Sequence, residues 1–91
     1  MEPLTNPQIR ALKAQAQHLK ATVKLGSQGI TEAFLAGLDQ ALAHNELVKV
    51  KFADFKDQKK ELAPELAAKT SSHLVTRVGN VVVLYRPKPK P

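Results

Sequence analysis

A chain of 91 residues has too little interior for two cores and is expected to fold as one domain over residues 1–87, followed by a short tail. It contains no cysteine, no apolar run long enough to span a bilayer and, at Met1-Glu2-Pro3-Leu4, no signal-peptide start, so disulfides, thiolate metal sites and a membrane span are excluded and a soluble cytoplasmic protein is expected. The net charge of +6 is unevenly spread: residues 1–30 carry four basic and one acidic side chain, 31–65 five and seven, and 66–91 five and none, a balance that suits a polyanionic partner if the fold gathers the two ends.

The first predicted element is an amphipathic helix over about residues 7–19, opened by Thr5-Asn6-Pro7 and carrying Ile9, Leu12, Ala16 and Leu19 on one face. A short strand follows over 21–25, where Val23 and Leu25 alternate with Thr22 and Lys24, and Gly26-Ser27-Gln28-Gly29 ends it. Thr31 caps a second helix with an apolar stripe of Phe34, Leu35, Leu38, Ala41 and Leu42. Gly37 in its middle implies a close neighbour there, since glycine otherwise costs a helix about 1 kcal/mol relative to alanine. Leu47 to Phe52 reads as a second strand, its Val48, Val50 and Phe52 buried, its Lys49 and Lys51 wet.

Residues 56–70 form a third helix disturbed by Pro64, which either kinks it or marks the point where an irregular turn hands over to regular helix. Leu74–Val78 and Val81–Arg86, joined by Gly79-Asn80, read as a hairpin of the glycine-first type. Pro87-Lys88-Pro89-Lys90-Pro91 cannot pair in a sheet and is expected to be an extended basic tail. The order helix-strand-helix-strand-helix-strand-strand predicts an α/β (α+β) fold, a four-stranded mixed sheet packed with three helices.

Few residues offer chemistry. His18, His44 and His73 stand 26 and 29 residues apart with no partner at ligand spacing, so no metal or other cofactor is expected. Ser27, Ser71 and Ser72 lack a nucleophile's context, and Asp54, Asp57, Glu61 and Glu65 read as a solvated face, so neither catalysis nor a small-molecule substrate is expected. The glycine loop is different. It joins a strand to a capped helix start, where free backbone N–H groups and the helix dipole favour phosphate, and its glycines leave room for a sugar-phosphate backbone, as in KH-type loops. Lys20 and Lys24 lie just before it.

Three separated stretches carry a family resemblance: Leu19-Lys20-Ala21-Thr22-Val23-Lys24-Leu25-Gly26-Ser27-Gln28-Gly29-Ile30-Thr31-Glu32, the run from Ala41 to Lys51, and Val78-Gly79-Asn80-Val81-Val82-Val83-Leu84-Tyr85-Arg86-Pro87. Together they resemble the CRM domain (chloroplast RNA splicing and ribosome maturation) in its stand-alone bacterial YhbY-like form, over about residues 4–87. The resemblance implies a fold similar to the C-terminal domain of translation initiation factor three and binding to RNA, with ribosomal RNA of the large-subunit precursor as the partner of bacterial members. It places the family's G-x-x-G loop on Gly26, Ser27, Gln28 and Gly29. Ala21 departs from the pattern, standing where many members have proline, and Pro64 falls within the family's third helix.

The expected RNA-binding residues are therefore Gly26, Ser27, Gln28 and Gly29, backed by Thr31, with Lys20, Lys24, Lys49, Lys51, Arg77, Arg86 and the tail residues Lys88 and Lys90 attracting phosphate. With only four Phe and Tyr residues and no Trp, stacking of bases on aromatic rings is a minor term. Gly29→Asp is expected to weaken RNA binding with little change in Tm. The protein is expected to act as a monomer in ribosome assembly. Two other classes stay open at this level: a basic DNA-binding protein, and a protein-interaction module that docks ribosomal proteins through the second helix or a sheet edge.

Overall fold

In the computed structural model, which describes residues 4–87, the first helix, α1, spans Asn6–Ala16. A capping box opens it: the Thr5 hydroxyl accepts from the Gln8 backbone N–H at 3.3 Å, and the Gln8 side-chain Oε1 accepts from the Thr5 N–H at 2.8 Å. The helix stops at Ala16, short of the expected Leu19, as the His18 and Leu19 N–H groups bond three residues back to Gln15 and Ala16. That tight turn releases the chain toward β1 (Val23–Leu25) and leaves Leu19 exposed.

Helix α2 (Glu32–Asn45) starts at the expected cap, the Thr31 hydroxyl accepting from the Phe34 N–H at 3.0 Å. Gly37 has nothing within 4 Å of the place a Cβ would occupy, among the described residues. The close contact expected of it is absent; it lies on the exposed side of α2. Strand β2 (Leu47–Phe52) has its predicted bounds.

A single 3-10 turn, Lys56–Gln58, hands over to α3, which runs from Lys59 to Lys69 with Pro64 inside it. The irregular turn matches expectation, but regular helix starts five residues before the proline. Pro64 lies on the exposed side and forfeits one backbone bond, while Ala63, Leu66 and Ala67 hold the opposite side in the core. Strands β3 (His73–Val78) and β4 (Val81–Tyr85) follow, joined by Gly79-Asn80 with Gly79 at φ 57°, the positive first position that this hairpin class requires.

The sheet order is β1-β2-β4-β3, with β1 and β2 parallel and both other pairs antiparallel. Strands β1, β2 and β3 thus run one way, and β4 runs against them in the interior. Alternation sends Leu25, Val48, Val50, Phe52, Val82 and Leu84 to the face covered by α2 and α3. Leu47, Val75 and Val83 go to the other face and pack on Leu12 and Ala16 of α1. An 11-residue helix is about 16 Å long, so α1 covers only part of that second face.

Candidate nucleic-acid interface

The glycine loop leaves the sheet where β1 ends. The Gly26 carbonyl accepts from the Gly29 N–H at 3.0 Å, which closes a tight turn with Ser27 and Gln28 exposed at its tip. Only one glycine is required by the backbone: Gly29 has φ +73°, whereas a Cβ on Gly26 would meet nothing within 4 Å among the described residues. A Cβ on Gly29 would also lie 3.4 Å and 3.5 Å from Cε2 and Cζ of Phe55. Gly29→Asp therefore strains the turn as well as adding charge, and the expectation of an unchanged Tm is corrected.

Phe55 is the residue that sequence reasoning missed. It is half-buried against the main core, itself at φ 56°, and its ring supports the turn from below. The segment carrying it is tied to the loop's root, since the Ala53 and Asp54 N–H groups both donate to the Leu25 carbonyl at 3.0 and 3.2 Å, and Asp54 Oδ1 accepts from the Phe55 N–H at 2.7 Å. Nothing in the alternation of β2 signals this, because Phe55 lies three residues past its end.

The four loop residues, Thr31 and Phe34 line a shallow depression of about 310 Å³. Thr31 acts here through the helix start. Its hydroxyl takes the Phe34 N–H and its carbonyl the Leu35 N–H, at 3.0 Å each, leaving the Glu32 and Ala33 N–H groups ahead of the first intrahelical acceptor and open to an anion. Glu32, exposed in that same turn, sets one negative charge against it.

The basic side chains divide between the two sides of the sheet. Lys24 and Lys51 are in register across β1 and β2, exposed, and on the α1 face with Lys49. The Lys49 ammonium donates to the Leu19 carbonyl at 3.0 Å, which holds the α1–β1 linker against the sheet. Lys20 is exposed on that linker and shares a cleft of about 270 Å³ with Lys49. Arg77 pairs in register with Val82 and so belongs to the opposite face, near the hairpin turn.

Arg86 has a place the sequence did not reveal. Its Nη1 donates to Asp39 Oδ1 at 2.5 Å and to the Thr70 carbonyl at 3.0 Å, and its Nη2 donates to the Asp39 carbonyl at 2.9 Å. The guanidinium thus clips α2 to the end of α3, so it is engaged by the protein itself. Its backbone N–H donates to Glu46, beside the start of β2, whereas Asn80 accepts from Phe52 at the loop end. Five strand steps, about 17 Å, separate the two ends. Lys88 and Lys90 lie outside the described residues.

Acidic residues are equally sorted. Among the described residues all of them belong to α2, the α2–β2 joint, the segment after β2, or α3. The elements of the α1 face carry Arg10, Lys13, Lys20, Lys24, Lys49 and Lys51 with no acidic side chain among the described residues. No group of three or more His, Cys, Asp or Glu is placed to hold a metal, and no helix is long and apolar enough to cross a membrane, among the described residues.

The CRS1/YhbY (CRM) domain family model matches residues 4–86. A Pseudomonas aeruginosa protein named as a probable RNA-binding protein is 39% identical over 89 residues, which cover 97% of this chain and 86% of its own. An RNA-binding protein of Haemophilus influenzae is 40% identical over 88 residues, 96% of this chain and 89% of its own. The solution structure of a Staphylococcus aureus protein superposes with a TM-score of 0.81 at 36% identity, covering 96% of this chain and 92% of that one.

Proposed function

The chain belongs to the CRS1/YhbY (CRM) domain family, and from that premise we propose that it is a non-catalytic RNA-binding protein of ribosome assembly that binds ribosomal RNA of the large-subunit precursor. The carrying observation is a convergence at one sheet end: an exposed glycine turn, the α2 start and the in-register pair Lys24 and Lys51. In this reading the turn and the Glu32 and Ala33 amides receive the RNA backbone while Lys20, Lys24 and Lys51 neutralise flanking phosphates. Two relatives named as RNA-binding support the partner class; the ribosomal role follows the family resemblance.

The test is crosslinking in cells followed by sequencing of the bound RNA, with Gly26→Asp as control. Reads enriched in large-subunit precursor and lost in the variant are expected. Reads spread over all transcripts would remove the ribosomal role, and retention on particles after complete RNA digestion would shift the partner to protein. Competition of structured rRNA against duplex DNA of equal length at fixed salt checks the nucleic acid, with a clear RNA preference expected.

A further inference from the structure

The part of the second sheet face that α1 leaves uncovered holds a cleft of about 340 Å³, in the size range of small-ligand sites. Two rows of register partners form its floor and one border. Nearest the glycine loop, Lys24, Lys51, Val81 and Val78 succeed one another across all four strands; one step away, Lys49, Val83 and Thr76 succeed one another across β2, β4 and β3. The first row runs from lysines on β1 and β2, and the second from a lysine on β2, to uncharged residues on the β4 and β3 side. Val78 is 67% exposed, the most open large apolar side chain of the described residues. From α1 and its end, Lys13, Ala16 and Gln17 complete the wall.

We propose that this cleft takes one unpaired base of the RNA whose backbone follows Lys24, Lys51 and the glycine turn, an inference that rests on the proposed RNA binding. Three chemical features select a nucleotide as the occupant. The branched methyl groups of Val78, Val81 and Val83 offer an apolar floor to a ring without an aromatic partner. The Gln17 amide and the Thr76 hydroxyl supply donors and acceptors at the rim for a base edge. Lys13 and Lys49 line the cleft with no acidic group beside them, which suits the phosphates flanking an inserted base. The lysine end of the first row is two strand spacings, about 10 Å, from Val81, so backbone and base occupy adjoining parts of one surface.

The experiment titrates the full chain, at one salt concentration, with a single-stranded RNA of ten nucleotides and with its abasic counterpart, which keeps every phosphate and lacks the bases. Wild-type protein is expected to bind the base-bearing strand about tenfold more tightly, on the order of what burying the apolar surface of one base contributes. Thr76→Leu, which narrows the cleft with a bulkier apolar side chain that has no ring to stack on a base, is expected to bring the base-bearing strand down toward the abasic level. Gln17→Ala, at an exposed position, gives a smaller loss confined to the base-bearing strand. Gly26→Asp weakens both strands alike. Equal affinity of the wild type for the two strands, with Gly26→Asp still weakening both, overturns the cleft and leaves the proposed function standing. Failure to bind either strand, or any structured RNA, removes both.

Discussion

The glycine-turn end of the sheet holds a pair of lysines and the opposite end a single arginine, and the two ends employ their charge differently. At the glycine-turn end Lys24 and Lys51 stand exposed and in register, with no ion pair to a neighbour among the described residues. At the other end Arg86 holds Asp39 and Thr70 in three hydrogen bonds and joins α2 to α3. In the sequence both are basic residues next to family motifs. The contrast teaches that net charge overstates the surface open to a partner, because the fold engages Arg86 internally and leaves Lys24 and Lys51 exposed.

The strongest test of the contrast reverses charge at the first end. Lys24→Glu with Lys51→Glu is expected to weaken RNA binding about thirtyfold at low salt. The milder Lys24→Ala with Lys51→Ala should flatten the log-log salt slope by about 1.4, at about 0.7 for each phosphate that is no longer neutralised. Both residues are exposed, so Tm should hold. A slope that does not change would place the phosphates elsewhere. At the other end the pattern inverts: Arg86→Ala is expected to cost about 2 kcal/mol in denaturant unfolding, because it removes charge-assisted bonds and leaves the Thr70 carbonyl at the end of α3 without its partner. RNA affinity measured on the folded variant should stay within about twofold of wild type. A large affinity loss with unaltered stability would show that Arg86 touches the RNA after all.

A finer division exists within the glycine turn. Gly26→Asp and Gly29→Asp place the same charge three residues apart, and both should weaken RNA binding about tenfold through repulsion of phosphate. Only Gly29→Asp should also lower stability, by about 1 kcal/mol, since it puts a side chain at φ +73° with the Phe55 ring 3.4 Å away. Equal Tm values for the two variants would mean that the turn relaxes freely and that Phe55 does not hold it.

Much of this was legible in the sequence where one segment contains its own cause. Thr31 followed by an apolar stripe fixes the α2 start, the alternation from Leu47 to Phe52 fixes β2, and Gly79-Asn80 fixes the hairpin. What stayed hidden depends on pairs distant along the chain. The rows joining Lys24, Lys51, Val81 and Val78 exist only because β4 inserts between β2 and β3, and no local pattern announces that order. Asp39 and Arg86 are 47 residues apart, so their bond reads in the sequence as two unrelated charges. The helix through Pro64 shows the same logic in energy: local propensity argues for a break, and the burial of Ala63, Leu66 and Ala67 offsets it.

The smallest expected effect tests whether the acidic side of the molecule is a bystander. Gly37 lies on the exposed side of α2 with helical geometry and open space around its missing Cβ, so Gly37→Ala removes backbone freedom from the unfolded chain without a clash in the folded one. A gain of about 0.5–1 kcal/mol in stability follows, readable as a rise in the denaturant midpoint at constant m value. RNA affinity should not move, because one methyl group there touches neither the glycine turn nor the lysine rows. Were affinity to fall while stability rose, α2's outer side would join the RNA-binding surface, and the division of the molecule into a binding side and a structural side would fail.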